Sequence, residues 1–159
     1  MQIDPIQRSV KISVGELARF QNTEHASFDG RQLWRAELGR QWHQRLEEAT
    51  QEQYPQSQFE VSLKKTLTYK NWTFEIQGRI DQLIDSEDGT LLINEIKTIR
   101  HPLPDDNSHL REKYPHYIAQ AAIYWELIEG LSDYAHFQTS AQLTYVDIDT
   151  GLSQILHLE

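Results

Sequence analysis

Cysteine is absent from all 159 residues. That excludes disulfides, zinc held by thiolates and iron–sulfur clusters held by cysteine. No apolar run approaches the roughly 18 residues of a membrane span, and the first residues carry no signal-peptide stretch, so the expected location is the cytoplasm and no membrane partner is expected. Basic charge is scarce: 15 Lys and Arg stand against 24 Asp and Glu, a net charge of -9. A protein living on general attraction to phosphate has the opposite sign, so any nucleic-acid contact must be local. The chain has no GxxxxGK[ST] phosphate loop, which excludes a nucleotide-driven motor within these residues. Repeats and low-complexity tracts are missing as well.

What remains is an ordinary globular composition, 38% hydrophobic and 25% charged, with four tryptophans and seven tyrosines. The length suits one domain, residues 1–159, able to bury roughly 70% of its unfolded surface. Residues 1–11 read as a polar lead-in, after which Ser13 is placed to cap a short helix carrying Leu17 and Phe20. Between Leu33 and Thr50 the residues Trp34, Leu38, Trp42, Leu46 and Ala49 recur at helical spacing. A second stripe, Ala36, Gly39, His43 and Leu46, is small at two positions, so this helix could approach a sheet closely and aim His43 inward.

Three strands are expected next, at "FEVSLKKTLTY", "WTFEIQGRIDQLID" and "TLLINEIKTI", with "SEDG" as the hairpin turn between the second and third. "RHPLPDDNSHLREKYP" reads as a polar, mobile loop. "PHYIAQAAIYWELIEG" reads as a helix with Pro115 in its first turn, Gly130 as its stop and a core stripe of Ile118, Ala121, Ala122 and Trp125. A closing hairpin turns at "DTG", with Leu143, Tyr145, Asp147, Ile155 and His157 alternating with other residues. Helix, three strands, helix and two strands predict an α/β fold, helices flanking a central mixed sheet.

Charges interrupt two of these strands, and a charge on an inner strand face is costly unless paired or bound to a metal. Glu95 and Lys97 share a face, while Ile96 points to the opposite layer. If the hairpin loop is Glu87, Asp88 and Gly89, with Gly89 left-handed, then Ser86 pairs with Thr90 and Asp81 lies opposite Glu95. Two carboxylates then converge on one ammonium. Either lysine alone relieves their repulsion, as a structural ion pair, or a hard divalent ion such as Mg2+ or Mn2+ does. An inward histidine such as His43 is by itself more often a hydrogen-bonded core residue than a ligand, and Gln120 and Tyr124 read as a polar flank of their helix. Glu60 and Glu75 are expected to be solvated or ion-paired. Arg31, Arg35, Arg40 and Arg45 form either a solvated helix face or the wall of a local groove.

In chain order "GRQWH", "GRID", "EIK" and "QAAIY" resemble the RecB-type branch of the PD-(D/E)XK nuclease superfamily over roughly residues 33–125. A helix histidine, GxxD, ExK and QxxxY are that branch's pattern. Across more of the chain, "ISVGELARF", "GRIDQLI", "NEIKT", "AQAAIYWE" and "QLTYVDIDTG" resemble the nuclease domain preceding the motor of some bacterial DinG- or XPD-like DNA helicases.

The resemblance implies a restriction-endonuclease-like core. Asp81 and Glu95 would be metal-binding carboxylates, His43 a further ligand, the Ile96 carbonyl another and Lys97 the catalytic lysine. Gln120, Tyr124 and Arg40 would meet or position the DNA strand. The expected cofactor is Mg2+ or Mn2+, with no iron–sulfur cluster. The expected partners are DNA, single-stranded or flap, and a helicase motor in cis or in trans. The activity implied is phosphodiester hydrolysis in DNA repair or processing. A fold of this kind that no longer cuts, serving as a DNA-holding or docking module, is the alternative.

Overall fold

A computed structural model of the chain describes residues 1–20, 32–100 and 102–158, with the backbone alone for 32–36. The elements run β1 (Gln2–Asp4), β2 (Ser9–Ser13), α1 (Val14–Arg19), α2 (Gln32–Gln53), β3 (Gln58–Tyr69), β4 (Trp72–Asp85), β5 (Thr90–Ile99), α3 (Asn107–Lys113), α4 (Pro115–Glu129), β6 (Gln138–Asp147) and β7 (Ser153–His157). Among the described residues seven strands form one mixed sheet, ordered β1-β2-β4-β5-β6-β7, with β3 paired to β4 off this path. This is the α/β plan expected, a central mixed sheet flanked by helices.

Turn chemistry sets the central registers. Lys70 and Asn71 both take positive φ, 48° and 62°. That makes the two-residue turn whose twist suits a hairpin, and it brings Tyr69 opposite Trp72. Between β4 and β5, Gly89 sits at φ 89°. The Ser86 N–H donates to the Thr90 carbonyl at 3.2 Å, and Gln82 faces Asn94, the expected register. Strands β5 and β6 run parallel, so the chain must cross over between them, and α3 and α4 make that crossing. A strand covered on both faces needs no alternation, and β6 is buried continuously from Ala141 to Asp147.

The main core lies between the sheet and α4. Ile76, Ile80, Leu83, Ile93 and Ala141 meet Tyr124, Leu127 and Ile128 there, each large buried aliphatic side chain contributing roughly 1.5–3 kcal/mol. On the other face, α2 approaches β5 at Gly39, where a Cβ would stand 3.5 Å from Thr98 Oγ1. The small residue permits the close approach anticipated. Trp42 closes over the β6–β7 turn, where a Cβ on Gly151 would lie 2.8 Å from its ring. Leu38, Trp42 and Leu46 are half-buried. Arg31 and the side chains of Leu33, Trp34, Arg35 and Ala36 lie outside the described residues.

Four expectations are corrected. The lead-in is not merely polar: β1 and β2 form there, and β2 runs parallel to β4 from Ser9↔Thr73 to Ser13↔Gln77. Ser13 does cap α1, in a reciprocal capping box with Glu16. The segment read as a mobile loop contains α3, capped by Asp106 and anchored by Leu110, which is fully buried. On α4 the buried residues are Ala121, Tyr124, Leu127 and Ile128; Ile118, Ala122 and Trp125 are only half-buried, because the helix rolls its tyrosine onto the sheet. In β7, Leu143 pairs with Leu156, so Leu156 enters the core and Ile155 and His157 face outward.

Candidate metal centre and active site

Strand β4 has more neighbours than edges. β3 runs along one edge from Trp72 to Leu83, so β2 and β5 must share the other. β2 covers residues 73–77 and β5 covers residues 82–85. Residues 78–81, "GRID", lie where one neighbour has ended and the next has not begun. Their backbone donors on that edge need side-chain partners. The Arg79 N–H donates to the Tyr124 hydroxyl at 3.1 Å, and the Asp81 N–H donates to Glu95 Oε1 at 3.3 Å. Gly78 makes the first contact possible, since a Cβ there would lie 2.6 Å from the Tyr124 ring and 2.9 Å from Val14 Cγ2. The spacing of GxxD and QxxxY thus has a packing cause.

At the same place the face alternation shifts. Ile76 and Ile80 point into the α4 core before Asp81, and Leu83 does so after it. One step of the period of two is lost between Ile80 and Leu83. Glu60, which the β3–β4 register would set opposite Asp81, takes φ 53°, and that pair alone is missing from the ladder. Asp81 and Glu95 are therefore opposite in register, as expected, but their side chains leave toward different sides. Two hydrogen bonds join them through the main chain, because Asp81 Oδ2 in turn accepts the Ile96 N–H at 2.8 Å.

On the α4 side, Glu95 is buried. Its Oε2 accepts from Lys97 Nζ at 3.0 Å and from Gln120 Nε2 at 3.2 Å. Burial pushes the Glu95 carboxyl up to about 7, with the Asp81 charge adding to the shift and Lys97 opposing it. Burial alone would lower the Lys97 ammonium, but the Glu95 and Asp81 charges outweigh it and the net shift is upward. Lys97 Nζ also lies 5.1 Å from the centre of the Tyr117 ring. Burial raises the Tyr124 hydroxyl above its usual value, so it stays protonated.

On the α2 side, a cleft of about 560 Å³ is lined by Gly39, Arg40, His43, Gln44, Glu47, Glu60, Arg79, Asp81 and Thr98. His43, Glu60 and Asp81 bring one ligand atom each within 4.8 Å of one another. His43 Nδ1 is 3.8 Å from Asp81 Oδ1, too far for a hydrogen bond. Burial holds Glu47 above the usual carboxyl range, with the charges of Glu60 and Asp81 adding to the shift and His43 opposing it. Imidazole beside carboxylate oxygens is a donor set suited to a divalent metal ion.

The structure thus gathers His43, Asp81, Glu95, Ile96, Lys97, Gln120 and Tyr124 around one break in the sheet. Arg40 reaches the rim of the cleft, where it pairs with Glu37, while Arg45 stacks over Trp42 at 5.0 Å. Glu60 was expected to be solvated or ion-paired, which its pairing with Arg79 bears out, but it was not expected beside His43 and Asp81. A signal was present: with Lys70 and Asn71 taken as a two-residue turn, counting outward from Tyr69 and Trp72 sets Glu60 opposite Asp81. Sequence reading passed over Arg79, inside the motif, whose guanidinium holds Glu60 at 2.6 Å.

Comparisons with known proteins agree with this architecture. The crystal structure of SSO0001 superposes with a TM-score of 0.58 at 19% identity, covering 99% of this chain and 72% of that one. At that identity it speaks for the fold alone. No curated protein matches the sequence significantly. The profile of the PD-(D/E)XK nuclease superfamily matches residues 11–155, from β2 into β7 and across the whole of the break at "GRID". With nearly the full chain matched and the acid, acid and lysine assembled on adjoining strands, the chain belongs to the PD-(D/E)XK nuclease superfamily.

Proposed function

We propose that the chain is an Mg2+- or Mn2+-dependent deoxyribonuclease of the RecB-type branch, hydrolysing phosphodiesters of single-stranded or flap DNA during repair or processing. The observation that carries this reading is the set His43, Asp81, Glu95 and Lys97, brought together at one break in the sheet. His43 and Asp81 would hold the ion on the α2 side, and Glu95 and the Ile96 carbonyl, joined to Asp81 across the break in the sheet, would complete its shell by turning toward it. The ion supplies Lewis acidity, polarising a phosphate oxygen and acidifying water.

The chain's own residues supply the rest. Lys97 carries the positive charge that meets developing negative charge on the phosphate or orients the attacking water. Glu95 and Tyr117 fix its ammonium, Gln120 steadies Glu95, and Tyr124 pins the backbone that carries Asp81. Arg40 lies at the cleft rim, where a phosphate backbone would pass. With a net charge of -9, such local cations suit one strand better than an intact duplex.

The resemblance of the sequence motifs to helicase-borne nuclease domains supports two further parts of the proposal: residues 1–159 form a single nuclease domain, and it works with a helicase motor in cis or in trans. The test is incubation of labelled single-stranded DNA with the protein and Mn2+, against EDTA and against Lys97→Ala. Metal-dependent products that Lys97→Ala abolishes are expected. No product from the parent protein would instead favour the module that holds DNA without cutting it.

A further inference from the structure

Glu60 is half-exposed, at the mouth of the cleft, and it faces two competing partners. One is Arg79, whose Nη1 lies 2.6 Å from Glu60 Oε2. The other is the space between His43 Nδ1 and Asp81 Oδ1, 3.8 Å apart. That gap is unsuited to a hydrogen bond, yet an ion with ligands at about 2.1 Å closes it with little movement. A Glu60 carboxylate oxygen already stands within 4.8 Å of one ligand atom from each of these two residues.

We infer that Glu60 is an exchangeable ligand: a divalent ion at His43 and Asp81 draws the Glu60 carboxylate away from Arg79 and frees the guanidinium for a substrate phosphate. The inference rests on the nuclease reading of the same site. Its energetics favour the exchange. Both members of the Glu60–Arg79 pair are open to water, and an exposed ion pair contributes at most about fivefold to an equilibrium constant. A divalent charge already held by two other ligands exceeds that. Arg79 and Arg40 both line the cleft, and a released guanidinium matches two phosphate oxygens at once. Ion binding therefore exchanges a carboxylate partner of Arg79 for a phosphate, so that the cleft accepts the DNA backbone only once it is loaded.

Mn2+ titration followed by the electron paramagnetic resonance of free Mn2+ tests the exchange on the parent protein, Glu60→Gln and Arg79→Gln, each first shown folded by circular dichroism. Losing a ligand should weaken Mn2+ binding about tenfold or more, and losing the competitor should tighten it severalfold. A purely structural ion pair predicts the same direction for both variants, because each breaks the same contact. Equal directions, or Mn2+ binding unchanged in Glu60→Gln, would overturn the inference. If Glu60→Gln does not fold, Glu60→Asp keeps the charge on a shorter stem and should bind Mn2+ with intermediate affinity; parent-like affinity would overturn the exchange. The released arginine has its own readout: Arg79→Gln should weaken binding of oligothymidylate severalfold with Ca2+ and leave it unchanged in EDTA, whereas equal losses would overturn that half. Asp81→Asn separates the two levels. Mn2+ binding lost in Asp81→Asn but intact in Glu60→Gln sinks the exchange alone, while no Mn2+ binding by the parent protein sinks the nuclease reading with it.

Discussion

On the α4 side of the break, Glu95 is 1% exposed and takes donors from Lys97, Gln120 and the Asp81 main chain; on the α2 side, Glu60 and Arg79 are 42% and 64% exposed and hold each other through one ion pair. The first set is dry, over-determined and costly to disturb. The second is wet and can change partners at little cost. A metal-dependent hydrolase needs both: an ammonium whose position does not drift, and ligands free to close around an ion. The loss of one step of strand alternation at Asp81 is what lets a single strand serve both sides.

The largest effect is expected where the dry side loses its cation. Lys97→Met leaves Glu95 buried without a counter-charge, and the metal-free protein should lose about 3–5 kcal/mol at pH 8; urea unfolding measures it. Adding Glu95→Gln should return most of that loss. If Lys97→Met costs nothing, the two sides do not differ as described.

Next in size is Gly78→Ala, which presses a methyl against Tyr124 and Val14. It should cost about 1–3 kcal/mol, and Tyr124→Phe should not relieve it, since the ring carbon that clashes remains. A smaller effect distinguishes the sides by pH. The Glu95 carboxyl stands near 7 in the fold, above its ordinary 4.5, so the folded state holds a proton that the unfolded state releases. The stability from that proton is complete below about pH 4.5 and is lost as the pH rises through 7. The melting temperature of the protein in EDTA should therefore fall between pH 5 and 8, and Glu95→Gln should flatten that slope. The Lys97 shift acts only at alkaline pH and leaves this window alone. Smallest is Glu60→Gln on the wet side. Without metal it should change stability by no more than about 1 kcal/mol, and a larger loss by urea unfolding would place Glu60 with the dry residues.

Much of this was legible along the chain wherever partners are near in sequence. The bounds of β4 and β5, the left-handed Gly89 and the Ser86–Thr90 closure follow from alternation and turn chemistry, which act over a few residues. So do the Pro115 start and Gly130 end of α4. β2 was hidden because its only local mark is the alternation of Val10 and Ile12 over five residues, and its pairing is parallel, with β4 some 60 residues away. α3 was hidden by its polar, proline-flanked surroundings, although Asp106 was there to cap it. Tyr124 read as a flank because its burial depends on Gly78, a residue of another element.

The amino-acid sequence alone determined which charges had to be accounted for, because a carboxylate or ammonium on a strand needs a partner wherever that strand goes. It also set the opposition of Asp81 and Glu95, through the length and handedness of one turn. Only the tertiary structure decided that these carboxylates leave the sheet on different sides, that Glu60 joins His43 and Asp81, and that Arg79 pairs with Glu60 at the cleft. Those outcomes depend on where β2 ends and β5 begins along one edge of β4, a competition for backbone hydrogen bonds between segments distant in the chain.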